Sequence, residues 1–167
     1  MEFLSKNRSE TRSRLIILTD MENEPDDSQT MVHLLMYANE IDIEGLVAVT
    51  SRWLRNDVFP DSIQNRVQAY GIVRPNLMHH AENWPTEKRL MSKIASGPLG
   101  YGMESVGDGN ATSGSELIIK AVDKKDPRPI WIAINAGANA LAQALWDISR
   151  ERSPKEIKKF VSKLRVY

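Results

Sequence analysis

Five carboxylates fall between positions 20 and 27: Asp20, Glu22, Glu24, Asp26 and Asp27. Packed together, such groups repel unless a proton or a cation neutralises them. Every donor in the set is an oxygen, which suits a hard cation such as Ca²⁺ or Mg²⁺. The competing reading is structural: Asp26 and Asp27 cap a helix while the glutamates are solvated. A second run, Asn135-Ala136-Gly137-Ala138-Asn139, is rich in small residues that let a backbone carbonyl approach a ligand. There Asn139 either orients the turn or caps the helix that follows. Ser51-Arg52-Trp53 is the third group, and Trp53 can serve as a flat platform for a sugar or base face.

Other residues carry less. His79 and His80 are adjacent, so regular structure points them apart, and His33 lies inside an apolar helical pattern. Trp84, Trp131 and Trp146 read as packing residues. Gly100-Tyr101-Gly102 lacks the Lys-Ser/Thr of a phosphate loop. Asn110-Ala111-Thr112 fits a glycosylation acceptor, a frequent chance match.

The elements that must position these groups alternate. Arg14 to Thr19 is a continuous apolar run, as in a strand buried on both faces, and it ends at Asp20. Met31, Leu34, Leu35 and Ala38 then repeat at helical spacing. The run from Ile43 to Ser51 is a second strand, so the first fifty residues form a βαβ unit. The pattern predicts helices over Asp61–Ile72 and Thr86–Ala95, with Thr86 as cap, and a short strand over Asn76–Met78. Gly97 to Gly114 is irregular and long enough to suggest function. Ser113 or Ser115 caps a helix reaching Val122. Pro129 leads into the strand IWIAIN. Helices follow over Gly137–Ile148 and from Pro154, and a last strand begins at Leu164. The fold expected is α/β: a Rossmann-like, mostly parallel sheet flanked by helices. Ile16, Leu18, Val47, Val49, Ile132 and Ile134 should fill its buried strands.

Composition bounds the partners. The chain has 167 residues, 41% hydrophobic and 26% charged, with Lys+Arg 22 against Asp+Glu 22. A neutral balance argues against a broad grip on nucleic acid or anionic lipid. Cys is 0, which removes disulfides, thiolate metal sites and a Cys nucleophile. No apolar run approaches a membrane span. Residues 1–13 read as a flexible polar arm and 14–167 as the folded part. These features point to the cytoplasm, with a secreted or periplasmic setting as the alternative.

The run LIILTDMENEPDDSQTMVHLL resembles the N-terminal signature of nucleoside hydrolases. The likeness is greater to a nucleoside hydrolase-like branch labelled cellulose-binding or of unknown function. GSELIIKAVDKKDPRPIWIAINAGANALAQALWDISRERSP and the closing KLRVY resemble that branch too. The resemblance implies a Rossmann-like core holding Ca²⁺ at the strand ends. It gives Asp20 the role of metal-binding base, Asp27 that of main metal ligand, and Ala138 that of a backbone-carbonyl ligand. Asp26 falls at a ribose contact. Arg52, Trp53 and Asn139 complete the set expected to touch substrate. The chain also departs from true nucleoside hydrolases. Leu18 stands where they have a first aspartate, and the loop before Asp26 is longer. Ser51-Arg52-Trp53 replaces a Gly-Asn pair, and Asn135-Ala136 a Trp-Gly. The family's further sugar contacts, a distal aspartate and a distal histidine lie beyond position 167. The chain therefore reads as the N-terminal part of a truncated catalytic domain, with a C-terminal strand edge open to a second copy.

Three functions remain in view. One is Ca²⁺-dependent hydrolysis of an N-glycosidic bond in a nucleoside or related sugar, impaired in this short chain. A second is non-catalytic carbohydrate binding in the same pocket. The third is an aspartate-nucleophile phosphatase, with Glu22 as an approximate second acid.

Overall fold

The computed structural model describes residues 12–167. Most of the expected arm, residues 1–11, lies outside them. Five strands form one parallel sheet: β1 (Ser13–Thr19), β2 (Ile41–Ala48), β3 (Ile94–Ser96), β4 (Ile130–Ile134) and β5 (Leu164–Val166). Their order is β3-β2-β1-β4-β5, with every neighbouring pair parallel. The chain therefore runs outward to one side of β1, then returns to build the other side. The point of reversal lies between β1 and β4.

Helices cover both faces. α1 (Pro25–Met36), α2 (Pro60–Leu77) and α3 (Glu87–Met91) lie on one side. α4 (Ser113–Asp123), α5 (Asn139–Glu151) and α6 (Pro154–Ser162) lie on the other. Alternation along β1 produces the two cores, because successive strand residues face opposite ways. Ile16 and Leu18 pack with Ile118, Ala144 and Ile148, whereas Ile17 packs with Met31, Leu35 and Val67. Ile16, Leu18, Val47, Val49 and Ile132 are fully buried, while Ile134 is only partly covered.

Several local expectations are corrected. Asn76 and Leu77 belong to the last turn of α2, which continues through Pro75, so the strand expected there is absent. The helix after Thr86 stops at Met91, and Ile94–Ser96 forms edge strand β3 instead of its last turn. Thr86 does cap that helix, accepting from the Arg89 N–H at 3.2 Å. α4 is capped by Thr112 in a capping box with Ser115, not by Ser113 or Ser115 alone. Asp26 and Asp27 lie inside the first turn of α1, whose cap position is Glu24. Trp84 packs beside Tyr70 as expected, but Trp131 is 44% exposed.

At the N-terminal end of the sheet, fully buried Arg14 holds the strands together. It donates to Glu44 at 3.1 Å and to the Ala121 carbonyl at 2.6 Å. Lys93 and Lys124 complete the neutralisation of Glu44. A buried guanidinium so partnered pins strand to helix and is costly to disturb.

Candidate active site

The site is assembled at the opposite, C-terminal end of the strands. Asp20 is the first residue after β1, and its carbonyl accepts from the Asn23 N–H at 3.2 Å in a tight turn. Pro25 then starts α1 with the fixed backbone angle a first helical turn requires. Asp26 and Asp27 follow at the positive end of the helix dipole, which favours their charge. The Asp26 carboxylate accepts from the Asp27 N–H at 3.0 Å.

Asp20 and Asp27 are nearly buried, 4% and 8% exposed. The Thr19 hydroxyl donates to Asp27. Burial pushes the Asp27 carboxyl up to about 6 despite that bond, and contact with Asp20 and the charge of Asp26 push the same way. Among the described residues no Lys, Arg or His pairs with Asp20 or Asp27. Two buried carboxylates in contact, with no cationic side chain beside them, fit a hard divalent ion. The protein side chains that meet there are few. Among the described residues no group of three His, Cys, Asp or Glu is arranged to hold a metal.

Glu22 is directed elsewhere. It adopts φ 74°, accepts from the Ser62 hydroxyl and pairs with Arg66 at 3.2 Å. The Ser62 bond, offset by some burial and reinforced by Arg66, holds its carboxyl below the usual range. The acidic run is thus split. Glu22 anchors the loop to α2, while Asp20, Glu24, Asp26 and Asp27 line a cleft of about 320 Å³.

The remaining walls come from three loops. Ser51, Arg52 and Trp53 follow β2, Tyr101 stands in the long loop after β3, and Asn135 and Ala136 follow β4. The Ser51 hydroxyl accepts from the N–H groups of Trp53 and Leu54, at 3.2 and 3.0 Å, so the turn carrying Trp53 is knitted in place. Trp53 is 74% exposed, which excludes the packing role. Asn139 is buried at the start of α5 and donates to the carbonyls of Gly100 and Gly102, at 3.2 and 2.7 Å. Its amide holds the Tyr101 loop. The cap position of α5 belongs to Ala138, whose carbonyl accepts the first helical bond from Ala142 at 2.9 Å. Ala138 is not among the residues that line the cleft, whose β4 side is formed by Asn135 and Ala136.

Tyr101 is the wall residue that the sequence did not single out. Its only local signal was a pair of flanking glycines, one of which, Gly102, sits at φ 87°. A larger cleft, about 570 Å³, lies between α4 and α6, near the starts of β4 and β5. Ligands of open α/β sheets bind at the carboxyl ends of strands where the strand order reverses. Asp20 and Asn135 occupy that position between β1 and β4, so the smaller acidic cleft is the candidate.

Residues 14–167 match the family described as cellulose-binding Sde182, nucleoside hydrolase-like domain. The chain belongs to that nucleoside hydrolase-like family. A solved structure similar to it is a nucleoside hydrolase-related hypothetical protein from Saccharophagus degradans that is associated with carbohydrate metabolism. The two share 44% identity and a TM-score of 0.91 over 93% of this chain. The chain spans 38% of that relative's length. No curated protein matches the chain. Among the described residues no helix is long and apolar enough to cross a membrane. The family fold accounts for the placement of the acidic turn and the Asn135–Asn139 loop side by side.

Proposed function

We propose that the acidic cleft receives a ribosyl-type sugar and that the protein hydrolyses an N-glycosidic bond with the aid of Ca²⁺. The observation that carries this reading is the contact between two nearly buried carboxylates, Asp20 and Asp27, at the C-terminal end of β1. Asp20 and Asp27 would hold the ion, with the Ala138 carbonyl at the margin. When bound, the ion supplies positive charge that acidifies water and grips sugar hydroxyls. Asp20 would accept the proton of the attacking water, and Asp26 would take a hydrogen bond from a sugar hydroxyl. Positive charge that develops on the sugar at the transition state would face the acidic floor. Trp53 would cover one face of the ligand.

The same walls suit a carbohydrate-binding protein without catalysis, and the open Trp53 favours that second reading. A phosphatase is disfavoured because Glu22 is tied to Ser62 and Arg66 outside the cleft. The deciding assay measures release of free base and free sugar from a nucleoside panel, with Ca²⁺ and with chelator, beside a phosphatase substrate. It is run on this chain and on the longest natural form. We expect Ca²⁺-dependent release from the long form and little from the 167 residues, which span 38% of the solved relative's length. Sugar binding without release would establish the second reading. Phosphate release would overturn both.

A further inference from the structure

The cleft has two electrostatic ends. Nearly buried Asp20 and Asp27 form its floor, while exposed Arg52 shares the rim with Glu24 and Asp26, and Arg55 stands beside it against Tyr101. The Arg52 guanidinium lies 5.2 Å from the centre of the Trp53 ring. That of Arg55 lies 5.5 Å from the centre of the Tyr101 ring. The two are linked, since Arg55 Nε donates to the Arg52 carbonyl at 2.8 Å. Among the described residues neither forms an ion pair with a carboxylate. Each therefore rests near an aromatic wall of the cleft with its terminal N–H groups uncommitted.

That arrangement has a chemical meaning. Stacking on an aromatic ring restrains a guanidinium through its face and leaves its in-plane N–H edge to bind. The edge matches two oxygens of a carboxylate or a phosphate. A neutral sugar offers Arg52 and Arg55 only hydroxyl oxygens, weaker acceptors than a carboxylate or a phosphate. A fully anionic ligand would be repelled by the floor. The ligand that suits both ends has a neutral hydroxyl-bearing ring over the floor and one anionic group beyond Trp53.

We propose that the cleft is specific for a sugar bearing one anionic oxygen group, which Arg52 and Arg55 bind at the rim. The proposal rests on the reading of the cleft as a sugar site and adds the substrate class. Two sources can supply the anion, a uronic acid carboxylate or a sugar phosphate.

The test is binding, measured with Ca²⁺ present by calorimetry and by the NMR shift of the Trp53 indole N–H. The probes are methyl glucoside against methyl glucuronide, and ribose against ribose 5-phosphate. The charged member of at least one pair should bind about tenfold more tightly than its neutral partner. The pair that shows the difference identifies the source. In Arg52→Gln and Arg55→Gln the charged member should lose several-fold more affinity than its neutral partner, and Arg52→Lys should retain only part of the advantage. Added salt should shrink the advantage, because the rim is exposed. Equal affinity for charged and neutral members overturns the proposal and leaves the sugar site standing. Equal losses for both members in the glutamine variants overturn it too, by making the arginines mere wall. Failure of every sugar to bind overturns the sugar site itself.

Discussion

The Gly137 N–H donates to the Thr50 carbonyl at 2.9 Å, joining the loop after β4 to the loop after β2. A Cβ at position 137 would stand 2.3 Å from that oxygen, which is backbone and cannot swing away. The contact brackets the cleft, with Ser51, Arg52 and Trp53 on one side and Asn135 and Ala136 on the other.

Gly137→Ala should therefore destabilise the protein by about 1–3 kcal/mol, the usual cost of forcing a group into filled space. Thermal unfolding measures it. An unchanged melting temperature would mean that the two loops separate freely.

Asn139→Ala should remove both bonds to the Tyr101 loop, leaving Gly100 with only the Thr50 hydroxyl and Gly102 with only the Ser105 N–H. The cost is about 1–3 kcal/mol. Amide exchange around Gly100–Met103 should accelerate, while exchange in β1 is unaffected except through global stability. If sugar affinity collapses with no change in loop protection, Asn139 touches the ligand directly and the clamp role fails.

Asp27 links pH, cation and stability. Its folded value of about 6 exceeds the ordinary 3.8, so the folded protein binds this proton more tightly than the unfolded chain. Without divalent ions, the Asp27 contribution should make stability rise as pH falls from 7 through 6, with the gain complete below about 4. Asp27→Asn should be more stable than wild type at pH 7 in chelator, by about 2 kcal/mol, and should lack that slope. Ca²⁺ should stabilise the wild type, and Asp27→Ala should lose more Ca²⁺ affinity than Glu22→Ala. Equal losses in a calorimetric titration would indicate a diffuse acidic surface.

Asp126 has the opposite sign. Its bonds to Arg128, opposed by slight burial and aided by Arg14, hold the carboxyl down at about 2. Its contribution is fully present above about 4 and is lost as pH falls toward 2. Asp126→Asn should cost about 1–2 kcal/mol at pH 7, and the difference should vanish near pH 2. Denaturant titrations across that range would expose a constant difference, which would rule out a charge effect.

The sheet was legible in the sequence where β1 and β2 are buried on both faces, and in β4 despite its exposed Trp131. β1, β2 and β4 are apolar runs bounded by turn residues, and each was expected. β3 was not, because three residues are too few to show a period and Ile94-Ala95 continues the apolar content of α3. The strand expected at Asn76 failed because α2 runs on through Pro75, held by burial of Ile63, Val67, Tyr70 and Leu77. In the site, Asp20, Asp26 and Asp27 were visible because a strand end and a helix start fix them locally. Tyr101 was not. Its position depends on Asn139 reaching back to Gly100 and Gly102, and on Gln143 gripping both the N–H and the carbonyl of Gly107.

The strand order also sets a sequence of assembly. Ser13 meets Ile41 across β1 and β2, but Arg14 must wait for Ile130 across β1 and β4. Closing the longer loop costs more chain entropy, which favours its later arrival. The acidic turn and the Trp53 turn belong to the early half, whereas Asn135 and the Asn139 clamp on Tyr101 belong to the late one. A ligand that touches both halves acts as a latch on the last step of folding, and its affinity reports how firmly that step has closed.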